Sequence, residues 1–146
     1  MKYLCTKMIS YTDSRPDTQA YLDLFCDIGW NKVYKMNLDE LSQALDRSWY
    51  VVTAHDGEKL VGVGRVVSDG VLYAMIYDLI VRPSHQNNGI GTAILRMLVE
   101  KCKSCGVRDI QLFSVTGKAA YYKNCGFIER PIDAPGMRLK RNNEQG

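Results

Sequence analysis

The sequence lacks the features of several broad protein classes. No run approaches the roughly 18 consecutive apolar residues that span a bilayer, and the first residues, 1–7, lack the apolar core of a signal peptide. The net charge is only +3, well below the basic excess of a nucleic-acid-binding domain. The sequence has no internal repeat and no low-complexity stretch. We therefore expect neither a membrane nor a nucleic acid as partner.

Histidine is also scarce, which argues against a metal site. His55 and His85 are the only two, and neither is near the single Cys-x-x-Cys pair, Cys102 and Cys105. A zinc site of this kind needs a second pair of ligands at matching spacing, so we predict no metal. The five cysteines are an odd and scattered set, which is typical of free thiols in a reducing compartment. We expect a cytoplasmic protein.

What is present fits one mixed α/β domain. A chain of 146 residues matches a single domain, 1–146, with a polar tail over 141–146 that we expect to fray. The change between helical and alternating apolar periods predicts the order β-α-α-β-β-β-α-β-α-β-β. The predicted elements are a strand over 1–10, a helix capped by Asp17 or Thr18, a second helix capped by Asn37 or Asp39, strands over 50–54, 60–67 and 71–81, a helix over 89–106, a strand over 109–115, a helix over 117–124, and closing strands over 126–128 and 137–139.

The most informative segment joins the third strand of this meander to the long helix. After Val81, the polar turn from Gln86 to Gly91 contains two glycines, and a helix begins at once. The first amides of a helix have no partner within it and carry partial positive charge, so such a turn suits a phosphate. Taken alone, two glycines equally fit a plain strand-to-helix turn. A dinucleotide fold would need a third glycine, and a P-loop would need Gly-Lys-Ser/Thr.

A second segment, downstream, gives the turn its interpretation. The run Gln86-Asn87-Asn88-Gly89-Ile90-Gly91 resembles the acetyl-CoA motif of the GCN5-related N-acetyltransferase (GNAT) superfamily. The run from Ala119 through Tyr122 to Gly126-Phe127 resembles the second signature of the same superfamily, a tyrosine followed at a fixed interval by Gly-Phe. The order of the predicted elements also matches that fold along nearly the whole chain.

The resemblance implies a fold, a cosubstrate and a cofactor-binding segment. It implies a mostly antiparallel central sheet in which the fourth strand splays from the fifth, so that exposed backbone of the fourth strand binds the pantetheine arm of acetyl-CoA. A homodimer is an expectation that rests on the resemblance alone. The expected acetyl-CoA-binding residues are Leu79, Ile80, Val81, Gln86, Asn87, Asn88, Gly89, Ile90, Gly91 and Thr92.

Acetyl transfer to an amine sets three chemical requirements. The amine must lose its proton, the tetrahedral oxyanion needs a hydrogen-bond donor, and the leaving thiolate gains from a proton. Tyr122 matches the tyrosine whose hydroxyl serves the superfamily as general acid. Asp78, just before the cofactor segment, is a candidate general base. Alternation along a regular strand places Asp78 opposite Tyr77, unless a bulge intervenes, so a structural role for Asp78 stays open.

The acceptor is less well determined by the sequence. The resemblance places its site among the first two helices and the third and fourth strands, where Trp30, Tyr34, Tyr73 and Tyr77 lie. Aromatic rings beside a carboxylate suit an amine with an apolar or aromatic body, so we predict a small-molecule primary amine. Trp30 and Tyr34 fit a cover over the core equally well. A protein or peptide acceptor, and a CoA-binding sensor without turnover, are the alternatives.

Overall fold

The computed structural model describes residues 8–142 and residue 144. The chain forms two compact units, residues 1–112 and 113–146. In the first unit the elements are β1 Ile9–Thr12, α1 Thr18–Asp27, α2 Asn31–Tyr34, α3 Leu38–Asp46, β2 Tyr50–Asp56, β3 Lys59–Ser68, β4 Tyr73–Val81, a 3-10 turn Pro83–His85, α4 Ile90–Ser104 and β5 Asp109–Leu112; the second unit contains α5, Ala119–Asn124.

The sheet of the first unit follows the order of the chain, β1-β2-β3-β4-β5. The first three pairings are antiparallel and the last, β4 with β5, is parallel. The parallel pair covers only Tyr73–Ile76 of β4 and all four residues of β5. The predicted mixed α/β fold, with a mostly antiparallel sheet and a splay between its fourth and fifth strands, is confirmed.

Two hydrophobic layers cover the sheet. On one face, α1 and α3 form a buried cluster with Val63 and Ile80 of the central strands. On the other face, α4 approaches so closely that a Cβ on Gly64 would meet the side chains of Ile94 and Leu98 at 2.8 Å. Because neighbouring residues of a strand point to opposite faces, Val63 and Gly64 place these helices on opposite sides of β3.

The helices begin where the sequence provides capping groups. The carboxylate of Asp17 accepts the backbone N–H of Ala20 at 3.0 Å. Asn37 and Glu40 form a reciprocal capping box at the start of α3. Helix α4 differs, because its N-cap is Gly89 in a left-handed conformation and no side chain of the described residues caps it. The first amide groups of α4 therefore lack the side-chain cap that α1 and α3 have.

Several boundaries differ from the prediction. The closing strands over 126–128 and 137–139 were predicted wrongly, since these residues have no regular secondary structure. Ile128 and Leu139 are 92% and 91% exposed, so this segment buries no apolar face, and an isolated pair of strands is marginal in water without one. Strand β5 ends at Leu112 instead of Val115, and helix α2 was not predicted.

The ends of the chain are described only in part. Residues 1–7 of the predicted first strand lie outside the described residues, and β1 is formed by Ile9–Thr12. In the predicted frayed tail, residues 143, 145 and 146 also lie outside them. The described Glu144 pairs with Arg138 and Arg141. A single domain over 1–146 stays a prediction.

Candidate active site

The turn between β4 and α4 has the backbone geometry of an anion-binding loop. Asn87 and Gly89 both have left-handed backbone, with φ of 63° and 78°, and α4 starts at Ile90. The first amides of a helix have no carbonyl to bind within it, and the helix dipole adds partial positive charge there. The turn can therefore receive a phosphate group through its backbone.

Two sets of side-chain contacts fix the residues that precede this turn. The imidazole Nε2 of His85 lies 2.9 Å from a carboxylate oxygen of Asp56 at the end of β2. The guanidinium of Arg82 donates to the carbonyl of Leu60 at 3.1 and 3.2 Å and to Asp27 at 3.1 Å. The turn is thus anchored to α1, β2 and β3, so its backbone amides are held in place before a ligand arrives.

The polar side chains of the turn are bound to the turn itself. The amide Nε2 of Gln86 donates to the carbonyl of Val81 at 3.0 Å. The side chain of Asn88 donates to the carbonyls of His85 and Gln86 at 3.3 and 3.1 Å. In this arrangement Gln86 and Asn88 shape the loop, and the backbone is left as the principal donor to an anion.

Strand β4 has an unpaired edge immediately before the turn. Its pairing with β5 ends at Ile76, whereas its pairing with β3 continues to Val81. Among the described residues of the first unit, residues 77–81 therefore have no strand partner on the β5 side. This edge contains Leu79, Ile80 and Val81, whose role in binding pantetheine stays a prediction.

A β-bulge at Asp78 interrupts the pairing of β4 with β3. Arg65 faces Tyr77 and Val63 faces Ile80, so that Asp78 and Leu79 together oppose one residue of β3. Asp78 has left-handed backbone, with φ of 53°. The bulge turns Asp78 toward the face of the sheet that carries Arg65 and Tyr77. Strict alternation along the strand would have placed Asp78 on the opposite face from Tyr77, and the bulge is the exception that the sequence analysis allowed for.

The carboxylate of Asp78 has two strong partners on that face. Its Oδ2 accepts a hydrogen bond from the Tyr21 hydroxyl at 2.7 Å and one from Arg65 Nε at 2.5 Å. Burial, and then the Asp78 charge, raise the pKa of Tyr21 far above its ordinary value. Burial by itself lowers the pKa of Arg65, but Asp78 outweighs it and the net shift is upward. Both donors therefore keep their protons at neutral pH.

Tyr122 lies on α5 in the second unit. Its ring is buried and makes edge contacts with Tyr121 and Phe127, at centroid distances of 5.1 and 6.1 Å. Burial raises the pKa of Tyr122 above its ordinary value, so the phenol stays protonated at neutral pH. None of the hydrogen bonds among the described residues uses its hydroxyl. Such a group can donate a proton to a ligand; its role as general acid stays a prediction.

The predicted acceptor residues fall into three places in the first unit. Tyr73 is 60% exposed and lines an open cavity of about 330 Å³ at the β3–β4 turn. Farther along β4, Tyr77 lies beside Arg65, and the guanidinium carbon of Arg65 is 6.0 Å from the centroid of the Tyr77 ring. The other residues that line the cavity are Val67, Ser68, Asp69, Ala74, Met75 and Gln111.

Trp30 and Tyr34 lie on a different part of the unit. Their rings pack against Phe25 of α1 at centroid distances of 5.7 and 6.0 Å. Neither lines the cavity at Tyr73. Their packing supports the alternative that they cover the core, and their role in acceptor binding stays a prediction.

Sequence analysis missed two contributors to this region. The sequence analysis assigned no role to Tyr21, whose hydroxyl donates to the carboxylate of Asp78. Gln111 enters the cavity because it pairs with Met75 across the parallel strands, a register that a single sequence does not show.

No group of three or more potential metal-binding side chains occurs in the described part of the chain. None of the helices found there has both the length and the apolar character that a membrane crossing requires.

Comparison with known proteins agrees with this geometry. Residues 10–127 match the sequence profile of the Acetyltransferase (GNAT) family. The chain belongs to this family. GNAT enzymes generally use acetyl-CoA as cosubstrate and act on amines. The resemblance found in the two sequence signatures is confirmed.

Individual relatives of this GNAT chain have different names. It is 29% identical over 134 residues to the histone acetyltransferase TAP1 of Glycine max, with 83% of this chain and 57% of the relative covered. It is also 29% identical over 133 residues to the rice serotonin N-acetyltransferase 2, chloroplastic, with 88% and 65% covered. The chain thus spans about six tenths of the length of these curated relatives.

A solved structure shows the same fold. The chain is similar to a protein of unknown function from methicillin-resistant Staphylococcus aureus that is described as a probable acetyltransferase. The two are 25% identical with a TM-score of 0.80, and the match covers 92% of this chain and 100% of the other.

Proposed function

We propose that this chain transfers an acetyl group from acetyl-CoA to a primary amine on a small molecule. One observation carries the donor half of the proposal. The unpaired edge of β4 beyond Ile76 leads directly into a turn where Asn87 and Gly89 are left-handed and α4 begins uncapped. An extended amide chain followed by a pyrophosphate, as in acetyl-CoA, suits such an edge followed by such a turn.

The chemistry is direct attack on the thioester. The amine nitrogen forms a bond to the acetyl carbon, the oxyanion collapses, and the carbon–sulfur bond breaks. The nitrogen loses one proton and the thiolate gains one, so no other reactant is needed. A backbone N–H of β4 near Leu79 or Ile80 stabilises the oxyanion. Tyr122 supplies the proton to sulfur and is reprotonated by solvent.

The turn provides the first test of this function. Gly89→Val is expected to weaken acetyl-CoA binding, because valine shifts the free turn out of left-handed backbone. Restoring that backbone on binding costs about 1–2 kcal/mol, roughly tenfold in Kd. No atom lies within 4 Å of a Cβ added there, so the effect is one of conformation and not of crowding. Calorimetry with acetyl-CoA measures it.

Gly89→Asn is the matched control, because asparagine tolerates left-handed backbone. Its Kd is expected to stay within about threefold of the wild-type value. Absence of acetyl-CoA binding by the wild type would overturn the donor half of the proposal. Equal loss in both variants would show that the left-handed turn is not what matters.

The cavity at Tyr73 supports a small acceptor with an apolar or aromatic body. Its volume of about 330 Å³ lies at the small end of the range for ligand pockets. Asp69 lies at its border, and hydrogen bonds from the N–H groups of Val71 and then Leu72 hold the pKa of that carboxyl below its ordinary value. An ionised carboxylate beside a tyrosine ring attracts a cationic group. The relatives named for serotonin and for histone support an amine acceptor of either size.

An acceptor screen tests this half. Thiol release is measured across polyamines, aminoglycosides, arylalkylamines, amino acids and peptides. We expect the best acceptor to be a small amine, and Tyr73→Ala to lower its kcat/KM by about tenfold through loss of ring contact while leaving the KM for acetyl-CoA unchanged. Tyr11→Phe, on β1, is the control.

Two outcomes of the screen favour the alternatives. Turnover with peptides alone would show a protein acceptor. Tight acetyl-CoA binding without turnover of any amine would show a CoA-binding sensor. A cytoplasmic location and a homodimer stay predictions that this screen does not address.

A further inference from the structure

A buried cluster joins three elements of the first unit at the bulge in β4. Tyr21 of α1 and Arg65 of β3 both donate to Oδ2 of Asp78, at 2.7 and 2.5 Å. Tyr21 is almost fully buried, and the side chains of Arg65 and Asp78 are only 19% and 15% exposed. We call Tyr21, Arg65 and Asp78 the carboxylate clamp.

The clamp lies where the backbone is least favourable. Left-handed backbone is disfavoured for residues with a side chain, and asparagine and aspartate tolerate it best. A residue in such a conformation persists where its surroundings hold it there. Asp78 has such a conformation, with φ of 53°, and the two hydrogen bonds to its Oδ2 hold it there.

The bulge decides which backbone groups of β4 face outward. Before it Arg65 pairs with Tyr77, and after it Val63 pairs with Ile80, a shift of one residue in register. In an antiparallel pair, alternate residues direct their N–H and C=O groups toward the partner strand or away from it. A shift of one residue exchanges the two sets. The clamp therefore selects which groups of residues 79–81 lie on the unpaired edge.

We infer that Asp78 is a positioning residue, which holds the β4 bulge and thereby the backbone that binds acetyl-CoA, and is not the general base. The inference rests on the proposed function. Asp78 lies on the face toward α1, with its Oδ2 already accepting two hydrogen bonds.

Arg65 is itself held from several sides, which makes the clamp rigid. Its NH1 donates to the Ser48 hydroxyl at 3.3 Å, and its guanidinium lies 6.0 Å from the ring centroid of Tyr77. Tyr21 packs against Phe25 within the core of α1. A change at Tyr21 is thus expected to reach the acetyl-CoA site through Asp78.

A series at position 78 separates the possible roles. Asp78→Asn keeps both the tolerance of left-handed backbone and an oxygen acceptor. Asp78→Gly keeps the tolerance alone, and Asp78→Ala keeps neither. We expect the KM for acetyl-CoA to rise in that order, from about threefold for asparagine to roughly 10–100-fold for alanine, the range expected when hydrogen bonds to a charged group are lost.

The remaining readouts identify a base if there is one. We expect Asp78→Asn to keep kcat within about threefold and to keep the wild-type shape of the pH profile. Tyr21→Phe should raise the KM for acetyl-CoA and leave kcat nearly unchanged. A base at Asp78 would instead give three variants with equally low kcat, an unchanged KM for acetyl-CoA, and restoration of Asp78→Gly activity by added formate. That result would overturn the inference.

Amide hydrogen exchange measures the hydrogen bonding of the backbone at the bulge, and it needs no ligand. The amides of residues 79–81 should exchange with a changed pattern in Asp78→Ala and with the wild-type pattern in Asp78→Asn. If the wild type bound no acetyl-CoA, the proposed function would fail, yet this pattern would still test the clamp. If Asp78→Ala failed to fold, Asp78→Asn and Tyr21→Phe would decide. Identical exchange in wild type, Asp78→Gly and Tyr21→Phe would show that the clamp does not hold the bulge.

Discussion

Replacing Tyr122 with phenylalanine is expected to lower kcat by about 10²- to 10⁴-fold, the usual range for loss of a general acid. Phenylalanine keeps the ring that packs against Tyr121 and Phe127 and removes only the hydroxyl. That hydroxyl makes no hydrogen bond among the described residues, so the melting temperature should change little. The KM for acetyl-CoA should also stay close to that of the wild type. Steady-state kinetics with the best acceptor from the screen measures both constants.

The pH dependence gives this prediction a second part. Burial raises the pKa of Tyr122, so the acid is protonated below that pKa and is lost only as the pH rises through it. The kcat ratio of wild type to Tyr122→Phe should therefore be constant between about pH 6 and pH 9. Tyr121→Phe on the same helix is the control, with kcat expected within about twofold of the wild-type value. A wild-type kcat in Tyr122→Phe would remove Tyr122 from the mechanism.

Replacing Gly64 with alanine is expected to destabilise the protein by about 1–3 kcal/mol, as overpacking of a core does. The added Cβ would lie 2.8 Å from side-chain atoms of Ile94 and Leu98 and 3.3 Å from Leu79. Ile94 and Leu98 are fully buried, so neither can move aside without disturbing its neighbours. Valine at the same position should cost more, since it adds two further methyl groups.

Urea unfolding measures this effect as a shift in the midpoint at constant slope. Lys59→Ala, at the exposed start of the same strand, is the control and should change the free energy of unfolding by less than about 0.5 kcal/mol. Since α4 begins at the anion-binding turn, Gly64→Ala should also weaken acetyl-CoA binding. A Gly64→Ala protein as stable as the wild type would show that α4 packs less tightly on β3 than the structure indicates.

The parts of the fold that were predicted correctly have local causes. Asp17 and Asn37 cap helices α1 and α3 through their own neighbours. The meander β2–β3–β4 follows from short apolar runs separated by turn residues. The prediction of closing strands over 126–128 and 137–139 was wrong because the residues there bury no apolar face. Local β-propensity alone does not create a buried face for a strand.

The features of the site also divide into those with local causes and those that depend on tertiary contacts. By itself, the sequence determined the family and predicted the acetyl-CoA turn from Gln86 to Gly91 and the tyrosine on α5, because these depend on glycines and spacings within short segments. Only the tertiary structure decided the place of Asp78. Its left-handed backbone, and the pairing of its carboxylate with Tyr21 and Arg65, arise from residues 13 and 57 positions away. Contacts over such separations depend on the register of β3 with β4 and on how α1 packs, and no local pattern of residues encodes either.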